Sequence, residues 1–72
     1  MNNNTINQAK AISNLKSWVE IAKTYTAEEI LATWHAVYDA LSQENDPETN
    51  GILLDVQNKL DMTVMCLKLD ER

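Results

Sequence analysis

The side chains best suited to chemistry in this sequence are one imidazole and one thiol. His35 carries the imidazole and Cys66 carries the thiol. A catalytic or metal-binding histidine needs a nucleophile or further ligands converging on it, and the sequence places neither beside His35. Asp39 follows four residues later, which on a helix brings its carboxylate next to the ring. We therefore expect a surface pair of His35 and Asp39, without a catalytic role.

The thiol of Cys66 lies among apolar residues near the end of the chain. A reactive thiol needs a nearby cation or a helix N-terminus, and neither is predicted here. We expect a small buried hydrophobe, or a contact with the same residue of a second copy. One cysteine and one histidine also fall short of the four ligands of a structural zinc site. The sequence thus predicts no enzyme, no cofactor and no metal site.

The aromatic residues suggest either a core or a ligand pocket. Trp18 and Trp34 lie on or beside predicted apolar stripes, so we expect these two rings to dominate the interior. The alternative is a small-molecule pocket, formed between two subunits near Trp34, His35 and Tyr38.

The charge is distributed unevenly along the chain. The net charge is −5, and residues 26–50 contain six acidic residues and no lysine or arginine. These are the predicted partner-binding residues: Glu28, Glu29, Asp39, Glu44, Asp46 and Glu48. Such a segment repels phosphate, which argues against direct nucleic-acid binding. It either attracts a basic protein surface or, as the alternative, imitates DNA to inhibit a nucleic-acid-binding protein.

The elements that position these residues are predicted to be helices. One glycine and one proline in 72 residues allow few turns, which favours long helices. We predict an all-α, three-helix bundle of antiparallel helices over residues 5–24, 26–43 and 47–69. Residues 1–4 form a disordered tail in this interpretation, and residues 5–72 form one helical domain. The sequence shows neither a membrane span nor a secretory signal, so we expect a cytoplasmic protein without membrane contact.

Two helix starts carry recognisable capping patterns. Thr26 with Glu29 three residues later is a capping box. Asp46 followed by Pro47 is typical of an N-cap and a first helical residue. The end of the chain is less certain in type, since the segment TVMCLKL also tolerates an extended conformation. A strand there would need a partner from a second chain.

The last predicted helix has two apolar sides. One stripe faces the core and consists of Leu53, Val56, Leu60, Val64 and Leu67. The second stripe is predicted to mediate self-association and consists of Leu54, Met62, Met65 and Leu69. A chain this short has little interior to cover both, so we expect a homo-oligomer, most simply a dimer through this helix. The sequence thus predicts a non-enzymatic interaction protein that also presents an acidic face to an unknown protein partner. Accessory or regulatory proteins of bacteria and phages often have this composition.

Overall fold

The computed structural model describes residues 3–69 of the chain, and they form four helices. These are α1 (Asn3–Ser13), α2 (Trp18–Thr24), α3 (Ala27–Gln43) and α4 (Pro47–Leu67). The predicted all-α class is confirmed. The segment TVMCLKL is no strand, because α4 continues through Leu67 and ends in a turn. α4 contacts each of the other three helices, and its contact with α3 is the most extensive.

The prediction of one helix over residues 5–24 is wrong, and the bundle therefore has four helices. Ser17 has extended backbone angles (φ −152°, ψ 169°) and starts α2. The carboxylate of Glu20 accepts a hydrogen bond from the Lys16 N–H just before it. On the other side of the break, the Lys59 ammonium donates to the carbonyls of Ser13 and Leu15, both at 2.9 Å. The bond to Ser13 satisfies one of the carbonyls that the end of α1 leaves without a partner, and the other two bonds hold the connection between the helices.

The break also changes which side chains of this segment are buried. A continuous helix would bury Val19 together with Ile12, at a spacing of seven residues. In the structure Ile21 is fully buried, whereas Val19 is 40% exposed. The four residues between α1 and α2 reset the helical phase, so the apolar face of α2 does not continue that of α1. At the other end, α1 begins at Asn3, inside the predicted tail, and residues 1 and 2 lie outside the described residues.

The predicted starts of α3 and α4 are confirmed by their caps. The Thr26 hydroxyl accepts from the Glu29 N–H at 3.2 Å, and the Glu29 carboxylate accepts from the Thr26 N–H at 2.8 Å. Asp46 accepts from both the N–H and the hydroxyl of Thr49, at 3.0 and 2.8 Å. These two bonds, the backbone one foremost, hold the pKa of Asp46 below its ordinary value, because they favour the charged form. Pro47 occupies the first turn of α4.

α4 ends at Leu67, two residues earlier than predicted. Lys68 adopts the left-handed conformation (φ 56°, ψ 39°). Its N–H donates to the Met65 carbonyl at 3.3 Å, and the Leu69 N–H donates to the Val64 carbonyl at 3.0 Å. This pair of bonds is a Schellman motif, which turns the chain back towards the helix it has just left. Leu69 accordingly packs against the core.

The core is aliphatic, and this corrects the expectation that the two tryptophans dominate it. Trp18 and Trp34 are each only half-buried. The buried apolar residues are Ala9, Ile12, Ile21, Ile30, Val37, Ala40, Leu53, Val56, Leu60 and Val64. Four of the five residues predicted for the core stripe of α4 are among them; the fifth, Leu67, is 40% exposed at the helix end. None of the helices within residues 3–69 is long and apolar enough to cross a membrane.

Candidate functional site

The most prominent surface feature is a row of exposed apolar side chains on α4, which we call the α4 face. Leu54, Met62 and Met65 are 50%, 48% and 68% exposed. At about 100° per residue, their positions fall within an arc of about 80° on the side opposite the buried stripe. Asn58, also exposed, lies inside the same arc. The α4 face is therefore a narrow apolar strip about three turns long, with one amide in its middle.

Two residues near the end of α4 differ from their predicted surroundings. Leu69, the fourth residue predicted for self-association, packs against the core and does not extend the α4 face. Cys66, predicted to be buried, is exposed. It lies one helical turn after Met62, at the edge of the α4 face. The αL turn at Lys68 explains the first difference, because it redirects Leu69 after the helix has ended.

A polar cluster joins α3 to α4 directly beside the α4 face. The Trp34 indole N–H donates to Asp61 Oδ1 at 2.6 Å, and the Gln57 amide donates to the same oxygen at 3.0 Å. Among the described residues, no hydrogen bond ends on Asp61 Oδ2, and the buried Gln57 Oε1 has no partner. The cluster fixes the orientation of the Asp61 carboxylate at the edge of the α4 face.

Sequence reasoning missed this polar cluster, although two signals for it are present. Gln57 and Asp61 are four residues apart, a spacing at which an amide and a carboxylate meet on a helix. A partly buried tryptophan also needs an acceptor for its indole N–H. Neither signal alone selects Asp61, since Asp55 and Asp39 were equally available from the sequence.

Two exposed aromatic residues of α3, His35 and Tyr38, pack their rings against Trp34. The ring of His35 lies 5.3 Å from that of Trp34, and Tyr38 meets Trp34 edge-on at 5.9 Å. The expected ion pair of His35 with Asp39 is not among the ion pairs of residues 3–69. Three aromatic rings thus lie together on one chain, and whether they also line a pocket between two subunits stays a prediction.

The six acidic residues predicted to bind a partner fall into two groups. Glu29 and Asp46 cap the helices α3 and α4, as described above, and Glu44 accepts from the N–H groups of Asn45 and Asp46. The carboxylates of these three residues therefore already accept hydrogen bonds from backbone N–H groups. Glu28, Asp39 and Glu48 make no such bond within the described residues. Glu29 and Asp46 are exposed like these three, and Glu44 is half-buried.

The exposed acids do not converge on one point. Glu28 and Asp39 lie on the solvent side of α3, about 16 Å apart along the helix at 1.5 Å per residue. Glu48 belongs to the first turn of α4. Within residues 3–69, no group of three or more histidine, cysteine, aspartate or glutamate residues could hold a metal ion. The acidic segment can act on a partner through the negative electrostatic potential of its separate carboxylates. Within the described residues these carboxylates do not form a cluster that could chelate a metal ion.

The fold and its surface define a small all-helical chain with an exposed apolar strip on its longest helix. No protein-family model matches this chain, and neither a search of curated proteins nor one of solved structures finds a similar protein. What the chain does must therefore be inferred from its own surface.

Proposed function

We propose that this chain is a non-enzymatic interaction protein that self-associates through the α4 face and presents acidic residues to a protein partner. The observation that supports self-association is the exposure of Leu54, Met62 and Met65 in one row on α4. Exposed apolar residues that share one side of a helix are often part of an interaction site. Methionine side chains are flexible and adapt to the shape of the surface that covers them.

A second copy of the chain is the simplest cover for this row. In an isologous dimer both copies use the same surface patch, so the apolar strip of each copy is covered by that of the other. The chain is also short, and chains of this length often gain stability from oligomerisation. Leu69, which packs against its own core, is not part of this proposed contact.

The acidic part of the proposal rests on Glu28, Asp39 and Glu48. All three are exposed, and residues 26–50 contain no lysine or arginine to offset them. Such a field attracts basic protein surfaces and accelerates encounter with them. Imitation of DNA is a weaker interpretation, because six carboxylates over residues 26–50 are few for an imitated phosphate row. An exposed single thiol suits a reducing cytoplasm, which is where we place the protein.

The test of self-association is the solution mass of the wild type and of Met65→Glu, measured by light scattering after size exclusion. We expect the wild type at twice the 8.2 kDa chain mass and Met65→Glu at the single-chain mass. A charge at this position must be desolvated when the face is covered, while it stays in water in the free chain.

The matched control is Val19→Glu, which places the same charge on another exposed apolar residue, on α2 and outside the α4 face. It should keep the mass of the wild type. Circular dichroism of all three proteins checks that each remains folded. A wild type that runs at the single-chain mass at every concentration would reject the self-association.

A further inference from the structure

We infer that the acidic side of this chain recognises arginine: a guanidinium group of a basic protein segment stacks on the rings of Trp34 and Tyr38, and Asp61 pairs with its charge. The inference rests on the acidic part of the proposed function and names the chemistry of the partner. It does not depend on self-association. We call the neighbouring rings of Trp34, His35 and Tyr38 the aromatic patch.

The aromatic patch has carboxylates at both edges. At about 100° per residue, Trp34, Tyr38 and His35 span an arc of about 100° on α3. Asp61 of α4 lies at one edge, where its Oδ1 accepts from the Trp34 indole N–H at 2.6 Å. Asp39 is exposed at the other edge, about 40° past His35. Aromatic rings and negative charge thus share one surface, and both attract a cation.

This surface has no cation of its own to neutralise it. Residues 26–50 contain no lysine or arginine. Lys59 is two residues from Asp61 but lies about 160° around α4 from it, where it bonds to Asp55 and to two carbonyls at the α1–α2 break. Among residues 3–69 no ion pair includes Asp61. The negative charge beside the aromatic patch is therefore complementary to a cation that a partner supplies.

The polar cluster at this edge is also short of hydrogen-bond donors. The Trp34 N–H and the Gln57 amide both donate to Asp61 Oδ1. The buried Gln57 Oε1 has no donor among the described residues, so its partial negative charge adds to the charge of Asp61. A cluster with more acceptors than donors favours a partner that is both a cation and a donor.

Arginine suits this combination better than lysine does. Its guanidinium group is planar, stacks on aromatic faces and is more weakly hydrated than an ammonium group. Tyr38 is 50% exposed, so a planar group can reach the aromatic patch from solvent. The three rings come from one helix and do not surround a ligand as the walls of a small-molecule pocket do. The aromatic patch therefore fits a side chain presented by the surface of a partner.

The test compares two peptides of equal length and charge, one rich in arginine and one rich in lysine, titrated into the full-length protein. Binding is followed by NMR through the indole N–H signals of the two tryptophans. We expect the arginine-rich peptide to bind about fivefold more tightly and to shift the signal of Trp34. Trp18 is the internal control, because it lies on α2 and outside the aromatic patch, and its signal should stay unchanged.

Two pairs of variants assign the preference to particular side chains. Tyr38→Leu removes a ring but keeps an apolar side chain, so it should abolish the preference for arginine, whereas Tyr38→Phe should retain it. Asp61→Asn removes the charge but keeps an oxygen that can accept from Trp34, and it should weaken binding of the arginine-rich peptide about fivefold. Asp55→Asn removes the same charge about 120° around α4 and should change this binding by less than about twofold.

The outcomes separate this inference from the proposed function. Equal binding of the two peptides, or an arginine preference that survives Tyr38→Leu, would overturn the arginine site and leave the acidic face intact. Binding of neither peptide at low salt would overturn both, while light scattering judges self-association separately. Circular dichroism checks that the variants remain folded. If Asp61→Asn unfolds, the comparison of Tyr38→Leu with Tyr38→Phe still decides the inference.

Discussion

Replacing Lys59 with methionine should destabilise the protein more than its position on a helix surface suggests. The side chain of Lys59 is only 22% exposed. Its ammonium group donates to the carbonyls of Ser13 and Leu15, which belong to the end of α1 and the connection that follows. Methionine keeps the aliphatic stem and its packing but removes the donor. Both carbonyls then lose their protein partner, and within the described residues no other side-chain hydrogen bond links α1 or α2 to α4.

The size of the effect can be worked from these two bonds. A hydrogen bond to a charged group contributes about 1.5–3 kcal/mol, and the lower end applies where water can partly replace the donor. The ion pair with Asp55, at 3.2 Å, adds little because Asp55 is 54% exposed, and such pairs contribute about 0–1 kcal/mol. Two bonds at the lower end give an expected loss of about 3 kcal/mol, out of a total of about 4–11 kcal/mol for a chain of this length.

Urea unfolding followed by circular dichroism measures this loss directly. Asp55→Asn is the control, because it removes the ion pair but keeps both bonds to the carbonyls, and it should cost less than about 1 kcal/mol. Hydrogen exchange adds a local measurement, in which the amides of α2 should lose protection in Lys59→Met before those of α3. A free energy of unfolding within about 0.5 kcal/mol of the wild type for Lys59→Met would refute the role of Lys59 as the link across the helix break.

Two further predictions concern the ends of α4. Lys68→Gly should raise the free energy of unfolding by about 1 kcal/mol in urea unfolding, because glycine adopts the left-handed conformation without the steric penalty of a β-carbon; a loss of stability would mean that the Lys68 side chain contributes more than its backbone strain. At the other end, folding lowers the pKa of the Asp46 carboxyl. Asp46 therefore stabilises the fold above the pKa that this carboxyl has in the unfolded chain, and this stabilisation is lost as pH falls through its lower pKa in the folded chain. Asp46→Asn keeps an N-cap but cannot titrate, so the thermal midpoint of this variant should fall less steeply with decreasing pH than that of the wild type below about pH 4. Equal dependence of the two thermal midpoints on pH would contradict this role of Asp46.

The parts of the fold that sequence could predict are those with a local chemical cause. Thr26 with Glu29, and Asp46 with Pro47, bond to atoms within one helical turn, so their residue types alone define the starts of α3 and α4. Ser17 and Glu20 at the start of α2 have the spacing of a capping box, but the Ser17 side chain makes no cap bond and the Glu20 carboxylate accepts from Lys16 instead. The break between α1 and α2 went unrecognised because the apolar residues around it also fit one long helix, and the Lys59 bonds that help to hold the break come from a residue more than 40 positions away.

The same distinction explains which residues of the predicted second stripe are exposed on α4. Leu54, Met62 and Met65 lie inside an uninterrupted helix, where spacing alone determines the side that each residue faces. Leu69 lies beyond a left-handed residue, and helical spacing loses its meaning once the backbone leaves the helix. Asp61 shows the complementary case, because its position on α4 was predictable while its bond with Trp34 depends on how α3 packs. Between Leu54 and Met65, the side of α4 that helical spacing predicts for each apolar residue agrees with its exposure in the structure. This agreement makes that stretch the best supported part of the proposed contact surface.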